Sequence, residues 1–147
     1  MAAVSLNMTH SEREQFLAGL HVGVLGIERA DGPPLVVPVW YSYQPGGDVE
    51  ICMSAASLKG RLLKSAGRAT LCAQQEALPY KYVSVEGQVT IEPLGADAST
   101  EIETLAIRYL GEEAGRAYAA QGVSADEIRV TITPERWFSV DYGRAQG

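Results

Sequence analysis

Between Tyr80 and Glu92 the side chains alternate. Val83, Val85, Val89 and Ile91 share one face, and Tyr80, Tyr82, Ser84, Glu86 and Gln88 share the other. A period of two over that length predicts a long strand with one face buried. Such a strand needs neighbours that curve with it around a core. Shorter segments of the same kind supply them. His21 to Arg29 and Leu35 to Tyr43 flank Ala30-Asp31-Gly32-Pro33, whose residues suit a hairpin turn. Pro45-Gly46-Gly47-Asp48 turns the chain again before a third strand, Val49 to Ser54. The first half therefore reads as an antiparallel meander.

Further strands are predicted over Ala69 to Gln75, Glu127 to Thr133 and Arg136 to Val140. Helical spacing separates them. Thr9 and Glu12 can form a capping box, with Ser11 and Glu14 as an alternative pair, ahead of Phe16, Leu17 and Leu20. Ser57 can cap a short helix from Leu58 to Ala66, with Leu62 and Leu63 inward. Asp97 is expected to cap a longer one carrying Ile102, Leu105, Ala106, Tyr109 and Leu110, and Glu112 to Ala120 adds another. Six or seven mostly sequential strands with inserted helices point to a mainly β protein, an antiparallel barrel that curls to remove its edges.

The 147 residues fit one domain, 1–147, without a repeat or linker. A net charge of −6 argues against nucleic acid or an anionic membrane as partner. Met1–Met8 lacks the basic and apolar regions of a signal peptide, and no apolar run approaches membrane-spanning length. Cys52 and Cys72 lie in apolar segments and read as buried thiols, which fits a reducing cytoplasm. With His10 and His21 they show no metal-ligand spacing.

The distribution of cations is the strongest functional signal. No acidic residue occurs between Ile51 and Gln75, yet Lys59, Arg61, Lys64 and Arg68 fall within ten positions. Lys59 and Arg61 sit in the first turn of the predicted helix, where backbone N–H groups already favour an anion. Ser57 adds a hydroxyl there, and a phosphate could take charge-assisted bonds from several sides. A solvated basic helix face is the plain alternative. In Leu35–Tyr43, Pro38 cannot donate to a ladder, so that strand borders an edge or a gap. A gap beside Trp40 would suit a flat ring; Trp40 as ordinary core is the alternative. Tyr80 and Tyr82 could serve a stacking wall or a dimer interface.

These segments, taken in order, resemble a known superfamily. Gly32-x-Pro34 followed by Val37-Pro38-Val39-Trp40-Tyr41 is similar to the second strand of the pyridoxamine 5′-phosphate oxidase-like, FMN-binding split β-barrel proteins. Ser57-Leu58-Lys59-Gly60-Arg61-Leu62-Leu63 resembles their phosphate-binding S-x-K-x-x-N-L stretch, with Leu62 in place of the usual Asn. Tyr82 to Gly87 resembles their V-x-x-E-G strand, and Arg136-Trp137 with Asp141 their C-terminal ending. Within the superfamily the chain is most similar to the actinobacterial flavin/deazaflavin oxidoreductases of subgroup B.

The resemblance implies a homodimer with two cofactor sites at the subunit interface. Pro38, Val39 and Trp40 would lie along the ring system, and Met53 and Ser54 would offer backbone contacts. Ser57, Lys59, Gly60 and Arg61 would hold the phosphate, while Tyr80, Tyr82 and Trp137 would line the site, some from the partner. The implied function is hydride transfer from the deazaflavin coenzyme F420 to a small unsaturated or conjugated substrate. Arg outnumbers Lys nine to three, a bias of GC-rich genomes, and Lys64 and Arg68 could meet an anionic tail. The alternatives are an FMN-dependent oxidoreductase and a non-enzymatic module binding flavin, deazaflavin or haem. No catalytic acid or base is assigned, because the cofactor carries the chemistry.

Overall fold

The protein is described from a computed structural model covering residues 4–146. Met1–Ala3, where the segment read for a leader begins, and Gly147 lie outside the described residues. Six strands form one sheet: β1 (Gly23–Ile27), β2 (Leu35–Val39), β3 (Val49–Ser54), β4 (Arg68–Gln75), β5 (Lys81–Pro93) and β6 (Glu127–Asp141). Their order is β2-β1-β4-β5-β6-β3, every pair antiparallel. Four α-helices accompany them: α1 (His10–Ala18), α2 (Leu58–Ala66), α3 (Ala98–Leu110) and α4 (Glu112–Ala120).

The alternation read in the sequence is the alternation of burial. Val83 and Val85 are fully buried on β5, with Leu71 and Ala73 beside them on β4 and Leu25 on β1. Val49, Ile51 and Met53 on β3 meet Ile132, Val130 and Ile128 on β6 across the same interior. One face of every strand thus lines a single apolar core.

The expected meander is only half present. β1 and β2 form the hairpin, but β3 crosses to the far edge and pairs with β6. β2 and β3 are therefore the two edges of the sheet, and curling brings them together. Beyond β2 they meet at one bridge, where Ser42 and Glu50 exchange both main-chain hydrogen bonds at 3.0 Å. Where two separate strands were expected near the C-terminus, one long β6 runs through. A bulge between Glu86 and Gly87 absorbs the extra residue, with Pro134 set against Gly87. β3 reaches only to Ile132, so Pro134 has no strand on its other side and its missing N–H costs no ladder bond.

The helices close the ends of the barrel. Thr9 and Glu12 make the capping box of α1, and Leu17 is buried beneath the helix. The Tyr41 hydroxyl donates to the Leu17 carbonyl at 2.6 Å, tying α1 to that end. At the other end Ser57 caps α2, accepting from the Gly60 N–H, and Leu63 enters the core. Asp97 does not cap α3. A short 3₁₀ turn, Gly95–Asp97, leads into that helix instead, and Asp97 is itself in helical conformation.

His21 sits where α1 meets β1. Its ring stacks on Phe16 at 4.4 Å and hydrogen-bonds the Phe16 carbonyl through Nε2 at 3.0 Å. Burial holds its pKa below the ordinary 6.5 despite the Phe16 and Gln74 carbonyls, and the nearby Arg108 adds to the lowering. The unfolded chain therefore binds this proton more readily than the folded one. Stability from His21 is complete above its ordinary pKa and is lost as pH falls through the lowered folded value. Chemical denaturation between pH 7.5 and 5 should show this loss, and His21→Gln should flatten it. An identical pH profile in the variant would remove His21 as the cause.

Candidate functional site

The barrel is closed at Ser42–Glu50 and open beyond it. Two-residue steps from that bridge set Trp40 opposite Cys52 and Pro38 opposite Ser54, but no bridge forms at either pair. Because N–H and C=O groups alternate in direction along a strand, residues 38, 40 and 42 of one edge face residues 54, 52 and 50 of the other. Pro38 offers no N–H on that side, so the ladder cannot extend through it. The result is a seam left without ladder bonds from Trp40 and Cys52 to Pro38 and Ser54. Pro38 is exposed there and Val39 is buried on the inner face.

The seam runs into the start of α2. Ser57 is committed on both counts: its hydroxyl donates to the Ser54 carbonyl at 2.6 Å and accepts from the Gly60 N–H at 3.1 Å. Gly60 is buried, and a Cβ there would lie 2.6 Å and 2.8 Å from the Ser54 and Ala55 carbonyls. Its bareness lets α2 pack against its own entry turn. Lys59 is half-buried, while Arg61 and Lys64 are exposed on the helix surface.

The fold brings acids to this basic segment that the sequence keeps distant. The Asp126 carboxylate accepts from the Ser54 hydroxyl at 2.8 Å and the Ala56 N–H at 2.9 Å, and these bonds hold its pKa below the usual range. Burial raises the Glu127 pKa, and the nearby Lys59 charge works against that rise. Arg68 points elsewhere, onto Glu28 through two bonds of 2.7 and 3.1 Å. Of the four clustered cations, Lys59, Arg61 and Lys64 keep no carboxylate within salt-bridge range among the described residues. Asp126 was the residue missed by sequence reading. Only its place next to the start of β6 could have signalled it.

The remaining expected residues divide. Met53 is buried in the core, which leaves only its main chain to a ligand. Trp40 is half-buried on the unladdered edge and is not part of the core. Its indole lies on the outer side, stacked on Tyr109 at 5.2 Å and 6°, with Tyr118 at 5.3 Å. Tyr80 and Tyr82 lie at the opposite end of β5, around a cleft of about 420 Å³ shared with Tyr142, Gln74 and Glu76. About ten residues of strand, roughly 30 Å, separate them from the end of β5 next to the seam. Trp137 pairs with Val85 and so faces inward, edge-on to His10 at 5.6 Å and Tyr43 at 6.1 Å. Within one chain these three residues do not meet the others. A larger cleft of about 540 Å³ lies on the outer sheet face between Glu28–Arg68 and Glu86–Arg136.

Comparison with known proteins gives the same outline. No protein-family profile matches the chain, and no curated protein sequence does. Among solved structures, a conserved hypothetical protein from Mycobacterium tuberculosis is similar at a TM-score of 0.77 and 20% identity, over 100% of this chain and 94% of that one. An F420 reductase is similar at 0.69 and 22%, over 85% and 94%. A FAD-binding protein from Mesorhizobium loti is similar at 0.65 and 18%, over 90% and 93%.

Gly60→Ala should lower stability by about 1–3 kcal/mol, since two backbone oxygens must move. Gly26→Ala is the control, because its Cβ meets nothing nearer than the Thr70 carbonyl at 3.9 Å. Equal melting temperatures for the two variants would contradict this packing. At these identities the likeness carries the fold alone, a curled six-stranded antiparallel sheet with inserted helices.

Proposed function

We propose that the chain is an oxidoreductase holding a flavin-type cofactor, coenzyme F420 in preference to FMN, in the open length of the seam. It passes hydride to a small unsaturated or conjugated organic substrate. The observation that carries this reading is the meeting of two features: an unladdered edge at Pro38 and a cationic helix start at Lys59 and Arg61. A flat ring fits the first, and a phosphate fits the second. The F420 reductase among the similar structures favours the deazaflavin.

The cofactor supplies two-electron transfer when bound. The protein's residues position it. Pro38 and Val39 give the ring an apolar border, and Met53 and Ser54 contribute main chain from the facing edge. Asp126 already occupies the Ala56 N–H, so an anion is held from the Lys59 and Arg61 side. Arg61 and Lys64, three residues apart on the exposed face of α2, suit an anionic tail. Arg68 does not, being engaged with Glu28.

The active form is a cytoplasmic homodimer. Pro38, Val24, Cys72, Ser84 and Phe138 make one registered row across five strands on the outer face, without a charge in it. Val36, Tyr80 and Phe138 are about half exposed or more on or beside that face, an apolar surface that a second copy would cover. The partner then brings its own Tyr80 and Tyr82 toward the seam, which one chain cannot do. Phe138→Glu should convert a dimer to a monomer in light scattering. A monomeric parent protein would sink the dimer.

Titration of the purified protein with F420 and FMN separately tests the cofactor. Saturable binding is expected for F420, and flavin absorbance retained through gel filtration would overturn that choice. Lys59→Ala should weaken binding by about 1.5–3 kcal/mol. Asp126→Asn, removing the competing carboxylate, should strengthen it. Unchanged dissociation constants in both would move the phosphate elsewhere. Tight binding without turnover across quinones, enones and tetrapyrroles would make the protein a carrier.

A further inference from the structure

We propose that α3 is a crossbar over the seam that sets its width, with Tyr109 and Glu101 as the positioning residues at its two ends. This rests on the seam being the cofactor site, and it adds what determines the thickness of ring the site admits.

At one end the Tyr109 hydroxyl works as a wedge. Continuing the β1–β2 register by two residues from Gly23–Val39 sets His21 opposite Tyr41. A regular ladder would join them directly. Instead the Tyr109 oxygen accepts from the Tyr41 N–H at 3.0 Å and donates to the His21 carbonyl at 2.7 Å. The hydroxyl stands in place of the direct ladder bond, and on our proposal this displaces the chain beyond β2 from β1. That displacement is toward β3, where Ser42 meets Glu50. The Tyr109 ring lies flat on Trp40 and fixes the hydroxyl in place.

At the other end Glu101 binds Arg129, which Glu92 also holds at 3.1 Å. Arg129 is the registered neighbour of Cys52 on the far edge of the seam. Eight residues of helix, about 12 Å, separate Glu101 from Tyr109. A route over β5 and β4 would need roughly 30 Å along the strands, so α3 crosses the seam itself. Cys52 lies under this path, and burial pushes its thiol up to about 11. The crossbar covers the seam at Trp40 and Cys52 and leaves it open at Pro38 and Ser54.

Tyr109→Phe keeps the stack on Trp40 and removes only the wedge; Glu101→Gln loosens the other end. Amide exchange in the unliganded protein reads the seam independently of any cofactor. In Tyr109→Phe, exchange at Tyr41, Ser42 and Glu50 should rise at least tenfold, with Val83 and Val85 unchanged. Glu101→Gln should raise Ser42 and Glu50 alone. A uniform rise across the barrel, or none at Ser42 and Glu50 in either variant, would overturn the crossbar. Whichever of F420 and FMN the parent binds should then bind the Tyr109→Phe variant about tenfold more weakly. A parent that binds neither refutes the cofactor reading while the exchange result still decides the crossbar.

Discussion

Two hydrogen bonds between Ser42 and Glu50 turn an open sheet into a barrel. Without them β2 and β3 would be bare edges at opposite ends of six strands, each a row of unpaired N–H and C=O groups. With them, closure is achieved at one point among the described residues: no bridge forms at Trp40, and Pro38 beyond it has no N–H to offer on that side. The core does not depend on further closure. Val39, Tyr41, Tyr43, Val49, Ile51 and Met53 are buried from both edges although their strands are unpaired with each other along most of their length. The barrel can therefore leave a seam open without exposing its interior.

The same topology rewrites the electrostatics of the basic segment. Along the chain it is free of acids; in space Asp126 and Glu127 arrive beside Ser54 because β6 begins where β3 ends. Asp126 takes part of the role first assigned to an incoming anion, bonding the entry turn of α2. Glu28, just past the end of β1, does the same for Arg68. The surplus positive charge contracts to Lys59, Arg61 and Lys64. Any anion that binds here meets a narrower and more directional site than the count of cations implies.

Most strands were legible because burial on one face imposes a period of two, as at Val83, Val85, Val89 and Ile91. The capping box at Thr9 and the cap at Ser57 were legible because both bonds are local. Pro38 correctly marked an edge. The pairing of β3 with β6 was not legible, since the Pro45–Asp48 turn would serve a hairpin equally well. The Tyr109 hydroxyl between His21 and Tyr41 was not either, because nothing local distinguishes a helix residue that inserts into a sheet from one that merely covers it. Tyr80, Tyr82 and Trp137 were grouped with the phosphate segment by resemblance, some of them from a partner chain; within one chain the register sets Trp137 beside Val85, toward the same end of β5 as Tyr82 and remote from that segment.

Apart from α2, the helices near the seam, α3 and α4, come from one insertion. The chain leaves β5 at Pro93 and returns to β6 at Glu127, and the Leu94 N–H to Glu127 carbonyl bond at 3.0 Å pinches the two ends together. That neck lies beside Ser54, at the open end of the seam. Whatever is inserted there must emerge next to the gap and can lie across it without altering a strand. The length and side chains of this insertion are therefore free to change the width of the seam while the barrel, held by its core and its single bridge, stays as it is. A fold arranged in this way separates the requirement for stability from the requirement for a particular ligand shape.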